Sequence, residues 1–98
     1  MKLAEVLPEL VSDMENALLQ LGRGDLLGQV KEASLERWTY DDFSDTAYLY
    51  LATEPIERSK LEIFSLYDEC GLNLETDARG RLCGLEIMEG KRITSRLS

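Results

Sequence analysis

Residues 40–51 read YDDFSDTAYLYL: three aspartates, Asp41, Asp42 and Asp45, crowd the front of a run in which Ala47, Leu49 and Leu51 alternate with Tyr48 and Tyr50. Successive side chains of a strand point to opposite faces, so this alternation predicts a β-strand rather than a helix. Both of its faces are apolar or aromatic, which suits a strand inside a sheet covered on both sides. Just upstream, SLERWTY (34–40) puts Trp38 and Tyr40 on one face and Arg37 and Thr39 on the other. The acids therefore fall between two strands. Asp41 or Asp42, with Ser44, is expected to bond nearby backbone N–H groups and hold a turn. A calcium loop would need acids or amides at alternate positions, a glycine among them and a distal glutamate. Asp41, Asp42 and Asp45 have neither that spacing nor that glycine.

The same period continues towards the C-terminus. TEPIERS breaks it at Pro55; LEIFSLY resumes it, with Leu61 and Ile63 opposite Phe64 and Leu66. DECG reads as a turn, LNLET alternates Leu72 and Leu74 with Asn73 and Glu75, and RLCGLEIME forms a last strand. Asp77-Ala78-Arg79-Gly80 between those two makes a hairpin, with a positive φ expected at Gly80. Connections this short leave no room for crossover helices, so the strands should be antiparallel and follow one another as a meander of four or five.

Residues 1–33 have a different period. Leu3, Leu7, Leu10, Met14, Ala17 and Leu21 recur at spacings of four and three, widened by Val6, Val11 and Leu18. That stripe predicts an amphipathic helix whose regular part begins near Pro8, since proline is tolerated only in the first turn. Gly22 and Gly24 end it, and GDLLGQV suggests a short second helix capped by Asp25, or a turn folding Leu26, Leu27 and Val30 back onto the first. The expected class is α+β: this helical segment packed on the antiparallel sheet, within a single domain of residues 1–98, divided into helices (1–33), sheet (34–90) and a basic tail (91–98).

The chain has 98 residues, a formal net charge of −8, two cysteines and no histidine. Residues 41–90 hold 12 acids against 4 bases, whereas residues 91–98 hold 3 bases and no acid. An acidic body repels phosphate backbones and attracts basic proteins, so direct nucleic-acid binding is disfavoured and a basic partner is not. Without histidine the commonest acid–base group is missing, and Cys70 and Cys83 form no zinc-binding spacing; neither metal nor cofactor is expected. They read as free thiols of a reducing compartment. MKLAEVLPEL breaks its apolar run at Glu5, Pro8 and Glu9, so no secretory signal and no membrane span is expected, and the protein is assigned to the cytoplasm.

Tyr40, Asp41, Asp45, Tyr48 and Leu49, followed by Asp77, Gly80, Gly84, Leu85, Glu86 and Ile87, resemble the domain-of-unknown-function family 2283 over residues 38–89. That family shows a Tyr-Asp start, an acid before a Leu-Tyr-Ile strand, and an aspartate-glycine turn into Gly-Ile-Glu-Ile. Here Ala47 replaces a usual leucine and Leu85 an isoleucine, both keeping apolar character. The resemblance implies no assigned activity; some relatives look like antitoxin-type partners of small toxins.

Glu86 shares a strand face with Leu82, Gly84 and Met88, where partial desolvation would call for a cation or a backbone donor. It can anchor a ligand or pair with an arginine such as Arg37, or simply face solvent; Gly84 beside it permits close approach. Trp38, Tyr40, Tyr48 and Tyr50 are core residues or, if helices cover only one face, an aromatic docking surface. The expected function is a protein-interaction module without catalysis. Self-association into a homo-oligomer through Trp38, Tyr48 and Tyr50 is the first expectation, with a basic protein as a further partner and Glu86 as an anchor. The alternative is a ligand- or metal-binding protein or an enzyme built on Glu86 with Asp41 and Asp45.

Overall fold

The structure, a computed structural model, describes residues 1–52, 61–66 and 71–97. The readings of Pro55, of the DECG turn and of Cys70 lie outside the described residues.

Helix α1 (Leu3–Val6) stops where Pro8, lacking an N–H, opens α2 (Pro8–Gln20). Gly22, at φ 72, ends α2: Arg23 N–H donates to the Leu18 carbonyl at 2.8 Å and Gly22 N–H to that of Leu19 at 3.3 Å. This paired closure needs a left-handed residue, which glycine adopts without a Cβ clash. Helix α3 (Gly24–Glu32) follows, and here the expected cap fails: Arg23 holds the N-cap position, and no side chain caps it. Asp25 lies inside the first turn, bonded instead to the Arg23 guanidinium at 3.0 Å.

Five strands form one antiparallel sheet: β1 (Arg37–Asp41), β2 (Thr46–Tyr50), β3 (Glu62–Leu66), β4 (Leu72–Thr76) and β5 (Leu82–Met88). The class is α+β as expected, and the β1–β2, β3–β4 and β4–β5 neighbours are those a meander would have. The strand order is not sequential, however: it runs β1-β2-β5-β4-β3, a Greek-key path in which β5 takes the place beside β2. Residues 51–61 can span roughly 35 Å, ample for the ~14 Å across three strand spacings. Burial explains the choice. Leu85 and Ile87 of β5 are fully buried and belong in the sheet's centre, whereas β3 carries the exposed Ile63 and tolerates an edge.

One face of the sheet meets the helices. Leu49, Leu72, Leu74, Leu85 and Ile87 pack with Leu3, Leu7, Met14, Leu18, Leu26 and Val30 in a single core. Each such side chain contributes about 1.5–3 kcal/mol on burial. Gln29 clamps α3 to the β4–β5 hairpin, donating to the Gly80 carbonyl at 2.9 Å and accepting from Leu82 N–H at 2.7 Å. Gly80 has the expected positive φ, 76. The basic residues after β5 do not trail away: α4 (Lys91–Thr94) buries Ile93, and Arg96 meets Glu9 at 3.0 Å. Gly90 enters that turn against the backbone of Ala47, so closely that a Cβ would overlap it. Among the described residues, no helix is long and apolar enough to cross a membrane.

Candidate functional site

The second face of the sheet, expected to be covered, carries no helix among the described residues. Its side chains lie in three rows across the strands. Arg37, Tyr50, Gly84, Glu75 and Ile63 are neighbours in the first; Thr39, Tyr48, Glu86, Asn73 and Ser65 in the second; Asp41, Thr46 and Met88 in the third.

Gly84 sets the geometry. The Tyr48 ring leaves its own row and lies across β5, where a Cβ at position 84 would strike its ring and hydroxyl. The hydroxyl thereby reaches β4 and donates to Glu75 Oε2. Glu75 is only 2% exposed, and a carboxylate so buried is tolerated because it is hydrogen-bonded. Tyr50 packs on Tyr48 with centroids 4.5 Å apart and planes tilted by 57°, a favoured aromatic arrangement. The Arg37 guanidinium stands 3.9 Å from the Tyr50 ring centroid. Arg37 is therefore not the partner of Glu86: the two lie in different rows, two strands apart. Glu86 Oε1 instead accepts from the Asn73 amide at 3.0 Å.

Because Tyr48 leans away, its own row is left hollow between Thr39 and Glu86. A concavity of about 370 Å³ opens there, bounded by both tyrosines, Thr39, Asp41, Thr46 and Glu86. Asp41 and Glu86 thus meet at one hollow, as Asp45 does not. Asp41 Oδ1 accepts from Phe43 N–H at 2.9 Å, the turn contact expected of it. Asp45, at φ 51, accepts from the Tyr40 hydroxyl at 2.6 Å and from Lys91 N–H at 3.1 Å. It ties the β1–β2 turn to α4. The bond to Asp45 pushes the Tyr40 hydroxyl up to about 12, helped by desolvation and the neighbouring acids. The same hydroxyl, with Lys91 N–H, holds Asp45 below the ordinary carboxylate range. Phe43, at the tip of this turn, is 98% exposed. Among the described residues, no three His, Cys, Asp or Glu side chains converge as metal ligands would.

Trp38 is parted from Tyr48 and Tyr50. It faces the helices and lines a second cavity of about 540 Å³ with Val6, Leu35 and Leu97. Cys83 is a free, buried thiol whose pKa burial raises, away from the reactive range. Sequence reasoning passed over Glu75, Asn73 and Thr39. Glu75 reads there as the polar half of an alternating strand. The signal that could have found it is the tyrosine two strands away with a glycine between.

Residues 37–89 match the family model described as protein of unknown function (DUF2283). The chain belongs to that family. The matched span begins with β1 and ends one residue beyond β5, so all three rows of the uncovered face are DUF2283 residues. The helices α1 to α3 that cover the other face lie outside it. No curated protein and no solved structure matches the chain.

Proposed function

We propose that this protein is a binding module without catalysis, and that its working surface is the uncovered face of the sheet, which receives a basic partner protein. The observation that carries this reading is a sheet with helices on one face only among the described residues. Ile63 is 63% exposed and Met88 41% exposed, and they flank the half-buried tyrosine pair on a face that bears carboxylates at Asp41 and Glu86. The rings and the two exposed apolar side chains lie among Arg37, Thr39, Asp41, Asn73 and Glu86, the mixed apolar and polar composition of a non-obligate protein interface. Phe43, 98% exposed, stands in the β1–β2 turn beside this face, and Asp41 and Asp45 already hold that turn, so little ordering is needed on binding. A basic partner fits the net charge of −8 better than phosphate or an anionic membrane would.

The same face supports a second reading, self-association, through Ile63, Met88 and Tyr50. Affinity capture from the source cells, comparing the wild type with the double variant Tyr50→Asp/Ile63→Lys, separates the possibilities. A basic protein held by the wild type and lost from the variant is the expected result, with a monomer in sedimentation velocity at micromolar concentration. Capture that the variant leaves untouched refutes the uncovered face as the working surface. A wild-type dimer that the variant splits supports self-association instead.

A further inference from the structure

We infer that the hollow beside Glu86 is the seat of one lysine side chain of the partner: its ammonium on Glu86 and Asp41, its methylenes against Tyr48 and Tyr50. This rests on the reading of the uncovered face as the docking surface and adds the chemistry of its anchor.

Three observations carry it. The first is shape. The hollow, about 370 Å³, exists because Gly84 lets Tyr48 lie across β5. Its volume admits a lysine side chain, and it is open to solvent. The second is the wall. A hollow lined by two tyrosine rings and two carboxylates is what an alkylammonium selects, its apolar stem on the rings and its charge on the acids. Arg37 shows that this tyrosine pair accepts a cation, since its guanidinium already occupies one face of Tyr50.

The third observation chooses lysine over arginine. A guanidinium fork binds best to both oxygens of one carboxylate. Glu86 Oε1 already accepts from Asn73, and Asp41 Oδ1 from Phe43 N–H. Each acid is left with one oxygen that has no partner among the described residues. The hydroxyls of Thr39 and Thr46 border the same space. Single acceptors on two separate residues suit the three diverging donors of an ammonium.

The test uses the full chain and n-butylammonium as probe, followed by heteronuclear NMR. The expected result is saturable shifts at Thr39, Tyr48 and Glu86 with a dissociation constant on the order of 10 mM, reasonable for so few atoms. n-Butylguanidinium should bind several-fold more weakly, and 1-butanol should produce no saturable shift. Glu86→Gln, which keeps the Asn73 contact and the fold, should weaken butylammonium about fivefold, the size of one half-exposed ion pair. Gly84→Ala should abolish it by pushing Tyr48 into the hollow. Shifts without saturation, equal binding by Glu86→Gln, or tighter binding of the guanidinium would each overturn the lysine seat. Captured partner then distinguishes the two levels. If Glu86→Gln retains it undiminished while Tyr50→Asp/Ile63→Lys loses it, the face is the docking surface and the lysine seat is wrong. If both variants retain it, the docking surface itself is wrong.

Discussion

Tyr40 and Asp45 show how much a single contact settles. Their hydrogen bond raises the tyrosine to about 12 and lowers the aspartate, so it stabilises the fold between the two titrations. The signs differ. A raised tyrosine pKa gives stability that is complete below its ordinary value, ~10, and is lost as pH climbs from there through about 12. A lowered aspartate pKa gives stability complete above ~3.9 and lost as pH falls below it. Tyr40→Phe should therefore lower the thermal midpoint at neutral pH, with the gap to wild type closing towards both extremes. Absorbance at 295 nm should show one more late-forming tyrosinate in the wild type than in Tyr40→Phe; equal late amplitudes in the two would contradict the bond. Part of this was legible beforehand. Asx turns and strand alternation place Asp41 correctly from local chemistry alone. The roles of Asp45 and Glu75 were not legible, because each depends on a residue brought close by register: Lys91 for one, Tyr48 for the other. The anticipated Arg37–Glu86 pair failed for the same reason. Parity puts both on one face, but only register separates their rows.

Among the elements, period sufficed for type and failed for order. Alternation over 37–41, 46–50, 72–76 and 82–88 marks strands, and Gly80 and Gly22 mark the turns that need a left-handed residue. Hairpins with short links were therefore legible. The long link after β2 carries no local signal for its destination, and the position of β5 beside β2 is set by burial of Leu85 and Ile87, a tertiary effect. Asp25 failed as a cap because Arg23, one residue before α3, competes for its carboxylate. Two glycines of β5 and its exit now differ in a measurable way. At Gly90 a methyl would meet the Ala47 backbone, which cannot step aside. At Gly84 it would meet only the end of the Tyr48 side chain, which can. Gly90→Ala should cost about 2–3 kcal/mol as overpacking. Gly84→Ala should cost about 1–2 kcal/mol, the worth of the displaced Tyr48–Glu75 hydrogen bond. Urea midpoints with unchanged slopes measure both, and a larger loss for Gly84→Ala would reverse the account of which neighbour is rigid.

For the whole molecule, the helices and the uncovered face divide the labour, and substitutions should divide with them. Leu49→Ala, in the core, should cost about 2–5 kcal/mol, whereas a substitution of exposed Ile63 should leave stability within about 0.5 kcal/mol. The doubly apolar strands argued for cover on both faces and the short helical segment for cover on one, so the spare face was only half legible; the hollow on it, beside the leaning Tyr48, was not legible at all. Under the proposed function, net charge argues which occupant suits this face. With −8 in all, and 12 acids against 4 bases within residues 41–90, two copies meeting through this face bring like charges together. Salt shortens the range of that repulsion, from ~30 Å at 0.01 M to ~10 Å at 0.1 M. Self-association should therefore strengthen as salt rises. A basic partner reverses the sign, because salt screens its attraction and slows its approach. Sedimentation of the chain alone, set beside binding of a lysine-rich peptide across about 0.01–0.5 M salt, reads both slopes. A monomer throughout, with peptide affinity falling steadily as salt rises, is the outcome expected of a receptor for basic protein. Peptide affinity indifferent to salt would mean that the carboxylates of this face do not take part in binding, and the argument from charge would fail with it.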